Sequence, residues 1–211
     1  YYSLEELYTR VSNITKQVLY QYMKDGDISL LSYKFSYFFQ YCIQENQIQV
    51  ISHHFSNHKI EGLTVVDKLG TSFSYERDNP KVKQNFTLCH ELGHYILKHD
   101  GNYFAESIDN QENLLEREAN IFSAVVLMPD IVLLSKIYYS RDTFHQVQNS
   151  LEVSKPALLF RLLDFLREYY PGKDREIKQA VETYIEGENV SIFRLFHNIK
   201  ERIIEEFHQF Q

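Results

Sequence analysis

The segment VKQNFTLCHELGHYILKH, residues 82–99, decides how this chain is interpreted, because it combines an apolar helical spacing with His90-Glu91-Leu92-Gly93-His94. Residues four apart in a helix lie about 40° apart around its axis, so both imidazoles can reach one ion. Glu91 lies beside that face, where its carboxylate can act on a water molecule. Asp100-Gly101 is predicted to end the helix. The H-E-x-x-H pattern predicts a zinc hydrolase site.

A catalytic zinc ion needs a third protein ligand, and two candidates lie close behind the motif. His99 is about 180° around the helix from His90, so it is predicted to face away. Asp100 stands where an extended form of the motif has its last ligand, but it is predicted to end the helix instead. Neither residue is therefore the preferred ligand.

Glu118 is the preferred third ligand. On a helix predicted over residues 111–128, it is centred on an apolar stripe that must pack inward, made by Leu114, Leu115, Ile121, Phe122 and Val125. A lone carboxylate there is costly to bury unless it is paired or bound to a metal, and a buried salt bridge is the alternative interpretation. Glu116 is expected to face solvent. The proposed ligands are therefore His90, His94 and Glu118, with one Zn²⁺ per chain.

Three motifs in this order resemble the ImmA/IrrE family of metallopeptidases: residues 86–94, residues 116–124, and Leu127-Met128-Pro129. The resemblance covers residues 47–130. It implies a zincin-like fold with His90, His94 and Glu118 as zinc ligands and Glu91 as the catalytic base. It also implies an intracellular endopeptidase that cleaves a helix-turn-helix repressor and so derepresses genes of a mobile element or a stress response.

The order of predicted elements is helices, a small sheet, then helices, which favours an α+β fold. We predict a metallopeptidase domain over residues 1–139, with a small twisted sheet and the active-site helix, and a helical region over residues 140–211. Residues 141–168 resemble the helix-turn-helix-like segment that follows the peptidase core in this family. The strand predicted at residues 71–75 is expected to pair with an extended substrate.

Composition limits the partners and the compartment. The 211-residue chain has a net charge of −7, and residues 141–168 carry as many acidic as basic side chains, so protein recognition is favoured over DNA binding. No apolar stretch approaches a membrane span, and no signal peptide is expected. Two cysteines without a CxxC pair indicate a reducing cytosol. The oligomeric state cannot be predicted.

Two other functions stay open. A regulator that binds a repressor or DNA without proteolysis would use its zinc only for structure or sensing, but such a site has no need of Glu91. An aminopeptidase would need an anchoring site for a free terminus, and the sequence identifies none. Separately, His53, His54 and His58 are interpreted as a surface cluster, because a second metal site there would lack an obvious carboxylate or cysteine.

Overall fold

The computed structural model describes residues 3–57, 59–99, 103–107 and 114–210, with the backbone alone for 103–107. It confirms the α+β class. The described helices are α1 (Leu4–Asp25), α2 (Phe35–Asn46), α3 (Lys81–Ile96), α4 (Leu114–Leu127), α5 (Asp130–Leu133), α6 (Phe144–Leu151), α7 (Lys155–Tyr169), α8 (Asp174–Ile185) and α9 (Val190–Gln209), with a π-helical segment at Leu134–Tyr139. The strands are β1 (Gln49–His53), β2 (Ile60–Asp67), β3 (Gly70–Glu76) and β4 (Tyr103–Ser107).

The four strands form one sheet in the order β1-β3-β2-β4. β1 and β3 are parallel, whereas β2 is antiparallel to both β3 and β4. Phe73 on β3 and Thr64 on β2 are buried on the face that packs against α3. The prediction that residues 71–75 pair with a substrate is wrong, because β3 already has a hydrogen-bonded neighbour on each side. The edge strands of the described sheet are β1 and β4.

The chain divides into two compact units. One unit is Phe35–Ser123, which holds the sheet, α2 and α3, and buries an aromatic and aliphatic core of Phe38, Phe39, Phe73, Leu88, Leu92 and Phe122. The other joins Tyr1–Lys34 to Ala124–Gln211. The boundaries of these two units differ from the predicted domain boundary after residue 139. That domain boundary stays a prediction.

The unit that joins Tyr1–Lys34 to Ala124–Gln211 buries an ion cluster of Lys16, Asp130 and Arg161. Lys16 Nζ lies 2.6 Å from Asp130 Oδ2, and Arg161 Nη2 donates to Asp130 Oδ1. Arg161 Nε also donates to the carbonyl of Met128 at 3.0 Å. Each of the three charges therefore has an opposite charge beside it, which offsets the cost of burial.

A short turn joins α6 and α7 in the helix-turn-helix-like segment, residues 141–168. α6 ends at Leu151, Glu152 takes a left-handed conformation with φ of 55°, and the side chain of Ser154 caps α7 by accepting from the N–H of Ala157. Before this segment, the stretch Leu114–Tyr139 is apolar enough to cross a membrane by length and composition, but 78% of its most apolar window is buried inside the fold. That burial is typical of a core helix in a soluble protein.

Candidate metal centre

Helix α3 presents His90 and His94 on one face, as predicted. Both side chains are buried, and their Nε2 atoms lie 3.1 Å apart. Gly93 lets α4 approach this helix closely, because a Cβ at Gly93 would lie 3.0 Å from the ring of Phe122 and 3.3 Å from the Cα of Ala119. The motif glycine thus allows the face of α4 around Ala119 to approach the two histidines.

The third member of the group is Glu116, at the start of α4. Its Oε2 lies 2.9 Å from His90 Nε2, and its Oε1 lies 3.3 Å from His94 Nε2. His90, His94 and Glu116 form a metal-capable group whose ligand atoms all lie within 4.8 Å of one another, and we call these three residues the metal group. Zinc at ordinary bond lengths to two imidazoles and a carboxylate would separate its ligand atoms by about 3.3 Å. The three donors therefore fit a zinc ion.

The prediction that Glu116 faces solvent is wrong. Its side chain is buried, as is that of Glu118. The buried side of α4 is centred on Ala119, Ser123 and Val126, roughly 100° around the helix from Glu118 and about 50° from Glu116. The predicted apolar stripe differs from the buried side of α4 for two reasons. It includes Leu114, which is 54% exposed, and it leaves out the small residues Ala119 and Ser123, which pack against α3.

Glu118, the predicted third ligand, does not belong to the metal group of the described residues. Its Oε2 lies 2.8 Å from His99 Nε2, and His99 Nδ1 lies 2.8 Å from His94 Nδ1. Glu118 thus reaches His94 through His99, from the side of the ring opposite to the metal group. The other candidate ligand, Asp100, lies outside the described residues.

The prediction that His99 faces away is also wrong, because α3 ends at Ile96 and does not continue through it. Lys98 takes a left-handed conformation with φ of 55°. The N–H of His99 donates to the carbonyl of His94 at 3.1 Å, and the N–H of Lys98 donates to the carbonyl of Tyr95 at 3.2 Å. These two bonds make a Schellman motif, which returns the chain over the last turn and brings His99 against His94.

His90 is held on its outer side by a different residue. Its Nδ1 lies 2.9 Å from Asn120 Oδ1. Neither Asn120 nor His99 was predicted to support a ligand. The spacing of Glu116 and Asn120 could have revealed the first of these roles, because residues four apart on one helix reach the same neighbour.

Glu91, the predicted base, is fully buried and is not in the metal group. The hydroxyl of Thr64 on β2 donates to Glu91 Oε2. This bond fixes the carboxylate from the sheet, while the helix fixes its Cα one residue after His90. Thr64 was not predicted, because its contact with Glu91 depends on how the sheet packs against α3.

Burial and hydrogen bonding prepare these residues for a cation. Burial lowers the pKa of His94, the neighbouring His90 and His99 act in the same direction, and together they outweigh the opposite effect of Glu116. Burial alone would raise the pKa of Glu116, but hydrogen bonds with His90 and His94, and their charges, outweigh it and lower that pKa to about 2. A neutral imidazole and an ionised carboxylate near neutral pH are the forms that bind a metal.

The surface histidine cluster is only partly described, since His58 lies outside the described residues. His54 is half-exposed, and its Nδ1 lies 3.2 Å from Glu76 Oε1 and 3.0 Å from Asp78 Oδ2. The structure therefore supplies the carboxylates that the sequence did not reveal, because the parallel pairing of β1 and β3 brings their C-terminal ends to one edge. Because His54 and Asp78 are exposed, the interpretation as a surface cluster is retained.

Comparison with known proteins gives one family. Residues 43–163, more than half of the chain, match the model of Peptidase M78, described as the IrrE N-terminal-like domain. The matched range contains the metal group, Glu91 and Thr64. No curated protein matches the chain.

Proposed function

The chain belongs to the Peptidase M78 family of IrrE N-terminal-like domains, and from that premise we propose that it is a zinc-dependent endopeptidase. The observation that carries the proposal is the convergence of His90, His94 and Glu116, with the buried Glu91 directly after His90 on α3. Two histidines and one carboxylate are a set typical of catalytic zinc, whereas closed structural sites use four ligands and usually cysteine.

His90, His94 and Glu116 would hold the ion. A zinc ion held there supplies Lewis acidity for hydrolysis of a peptide bond. Glu91 takes the proton of the attacking water molecule and delivers it to the leaving amine. Thr64 orients Glu91 by donating to one of its oxygens. Two further hydrogen bonds, donated by His90 Nδ1 to Asn120 Oδ1 and by His94 Nδ1 to His99 Nδ1, orient the ligand rings.

We infer that an extended segment of the substrate pairs with β4. This strand is at the edge of the described sheet, and its neighbour β2 carries Thr64, paired with Phe104 in the strand register. Addition of a strand would bind the substrate through main-chain hydrogen bonds, with little dependence on its sequence.

The proposed substrate is a helix-turn-helix repressor, and the proposed setting is the reducing cytosol. The substrate class follows from the resemblance of the three motifs to the ImmA/IrrE family. The cytosolic setting follows from Cys42 and Cys89, which are both free and buried. The net charge of −7 favours a protein partner over DNA.

The test is cleavage of a purified helix-turn-helix repressor encoded beside the gene of this chain, followed by gel electrophoresis and mass spectrometry. The zinc-loaded chain should cut it at a defined site. Glu91→Gln should keep one zinc per chain and lower the cleavage rate about 10²–10⁴-fold, because the proton carrier is removed. Glu45→Gln, an exposed change in the same unit, should cleave normally.

Two results would contradict the proposal. Full cleavage by Glu91→Gln would exclude Glu91 as the base. Repressor binding without cleavage by the zinc-loaded wild-type chain, with derepression that survives Glu91→Gln, would identify a non-proteolytic regulator instead.

A further inference from the structure

His99 and Glu118 form a chain of hydrogen bonds that ends on His94. His99 Nδ1 lies 2.8 Å from His94 Nδ1, and His99 Nε2 lies 2.8 Å from Glu118 Oε2. The side chains of His99 and Glu118 are only 3% and 9% exposed, so water competes little with these bonds. We call these two residues the His94 support.

The geometry fixes the direction of the protons when His94 serves as a ligand. His94 Nε2 faces the metal group, so its lone pair points there and its Nδ1 carries the hydrogen. That Nδ1–H donates to His99 Nδ1, which then acts as an acceptor. His99 Nε2 consequently carries a hydrogen and donates it to Glu118 Oε2. Each of these two bonds has one donor and one acceptor.

We propose that His99 and Glu118 are positioning residues that lock His94 in the metal-binding tautomer and ring orientation. A hydrogen bond from the outer nitrogen of a ligand histidine to a basic partner makes the histidine a better ligand. Here the partner is an imidazole that is itself backed by a carboxylate. This role explains why Glu118 is buried although it is not in the metal group. The proposal rests on the proposed function, because it assumes that His94 binds the ion.

The backbone conformation of Lys98 positions His99 of the His94 support. Its left-handed φ of 55° closes the Schellman motif that returns His99 to His94. The side chain of Lys98 is exposed, so a change there alters the backbone preference without touching the hydrogen-bonded side chains. Glycine favours this conformation, whereas a β-branched residue disfavours it.

The experiment measures the zinc dissociation constant by competition with a chelator, beside the thermal midpoint of the metal-free protein. His99→Phe and Glu118→Gln should each weaken zinc binding about 10–100-fold, with the midpoint of the metal-free protein little changed. In the double variant the effect should equal that of His99→Phe alone, because Glu118 acts through His99. Lys98→Val should also weaken binding, and Lys98→Gly should not.

Each alternative has its own signature. Zinc binding within about twofold of wild type in His99→Phe would overturn the proposal and leave the proposed function intact. Additive effects in the double variant, or loss of the ion in Glu118→Gln but not in Glu116→Gln, would make Glu118 a ligand and overturn it too. A lower midpoint of the metal-free protein with unchanged zinc affinity would show a purely structural role. A wild-type chain that binds no zinc would contradict the proposed function itself.

Discussion

The two compact units each bury a cluster of ionisable side chains, and the two clusters differ in how their hydrogen-bond donors and acceptors are paired. In the ion cluster, the donors Lys16 and Arg161 meet the acceptor Asp130. In the metal group, two imidazole nitrogens and a carboxylate converge. An ionised carboxylate only accepts, and a neutral imidazole nitrogen without hydrogen also accepts.

This difference separates a cluster of paired opposite charges from one arranged for a ligand. Converging acceptors repel one another unless a proton or a cation lies between them. Opposite charges in contact need nothing further once their hydrogen bonds are made. The contribution of the ion cluster to the free energy of unfolding should therefore not depend on the zinc concentration, whereas the contribution of the metal group should increase when zinc is present.

The largest expected effect is on the ion cluster. Asp130→Asn removes the one charge that both Lys16 and Arg161 contact, and among the described residues it leaves Arg161 without an ion pair and Lys16 with Glu206 alone. The free energy of unfolding should fall by about 3–5 kcal/mol. Urea unfolding followed by circular dichroism measures it, with and without zinc.

The matched control for this change is Glu206→Gln. Glu206 also contacts Lys16, at 3.0 Å, but its side chain is 24% exposed, so the loss should be below about 1 kcal/mol. A fall for Asp130→Asn that disappears on adding zinc would remove the distinction between the two clusters.

The next effect is the response of stability to zinc. At a free zinc concentration about 100 times the dissociation constant, binding to the folded state alone should stabilise the wild-type chain by about 2.7 kcal/mol. Glu116→Gln should lose most of this gain at the same zinc concentration, because a neutral amide replaces the ionised ligand. Thermal unfolding at several zinc concentrations measures the response, and Glu45→Gln should behave as wild type. A full response in Glu116→Gln would exclude it as a ligand.

Much of the fold follows from the sequence. The apolar spacing of Leu7, Val11 and Leu19 indicates α1, and the spacing of Ile192, Ile199 and Ile203 indicates α9. Apolar spacing predicts such elements because each one buries a single face. The order of strands is different, since it depends on pairings between residues far apart in the chain. That is why the sequence suggests residues 71–75 as an available strand, although β3 lies inside the sheet.

The site was predictable as far as one helix determines it. The pairing of His90 with His94 depends only on their spacing along α3. The choice between Glu116 and Glu118 depends on which side of α4 meets α3, and small residues at Gly93 and Ala119 set that contact. The role of His99 depends on a left-handed residue at Lys98, where the chain has no glycine to signal it.

The smallest expected effect concerns the outer partner of His90. Asn120 offers His90 a neutral amide oxygen at 2.9 Å, whereas the His94 support ends on a carboxylate. Asn120→Ala should therefore weaken zinc binding only about tenfold, at the low end of such changes. Asn120→Asp keeps the acceptor and adds a charge, so it should bind zinc at least as tightly as wild type. Chelator competition at one pH measures both. Equal weakening by Ala and Asp would mean that Asn120 acts through packing of α4 and not through its bond to His90.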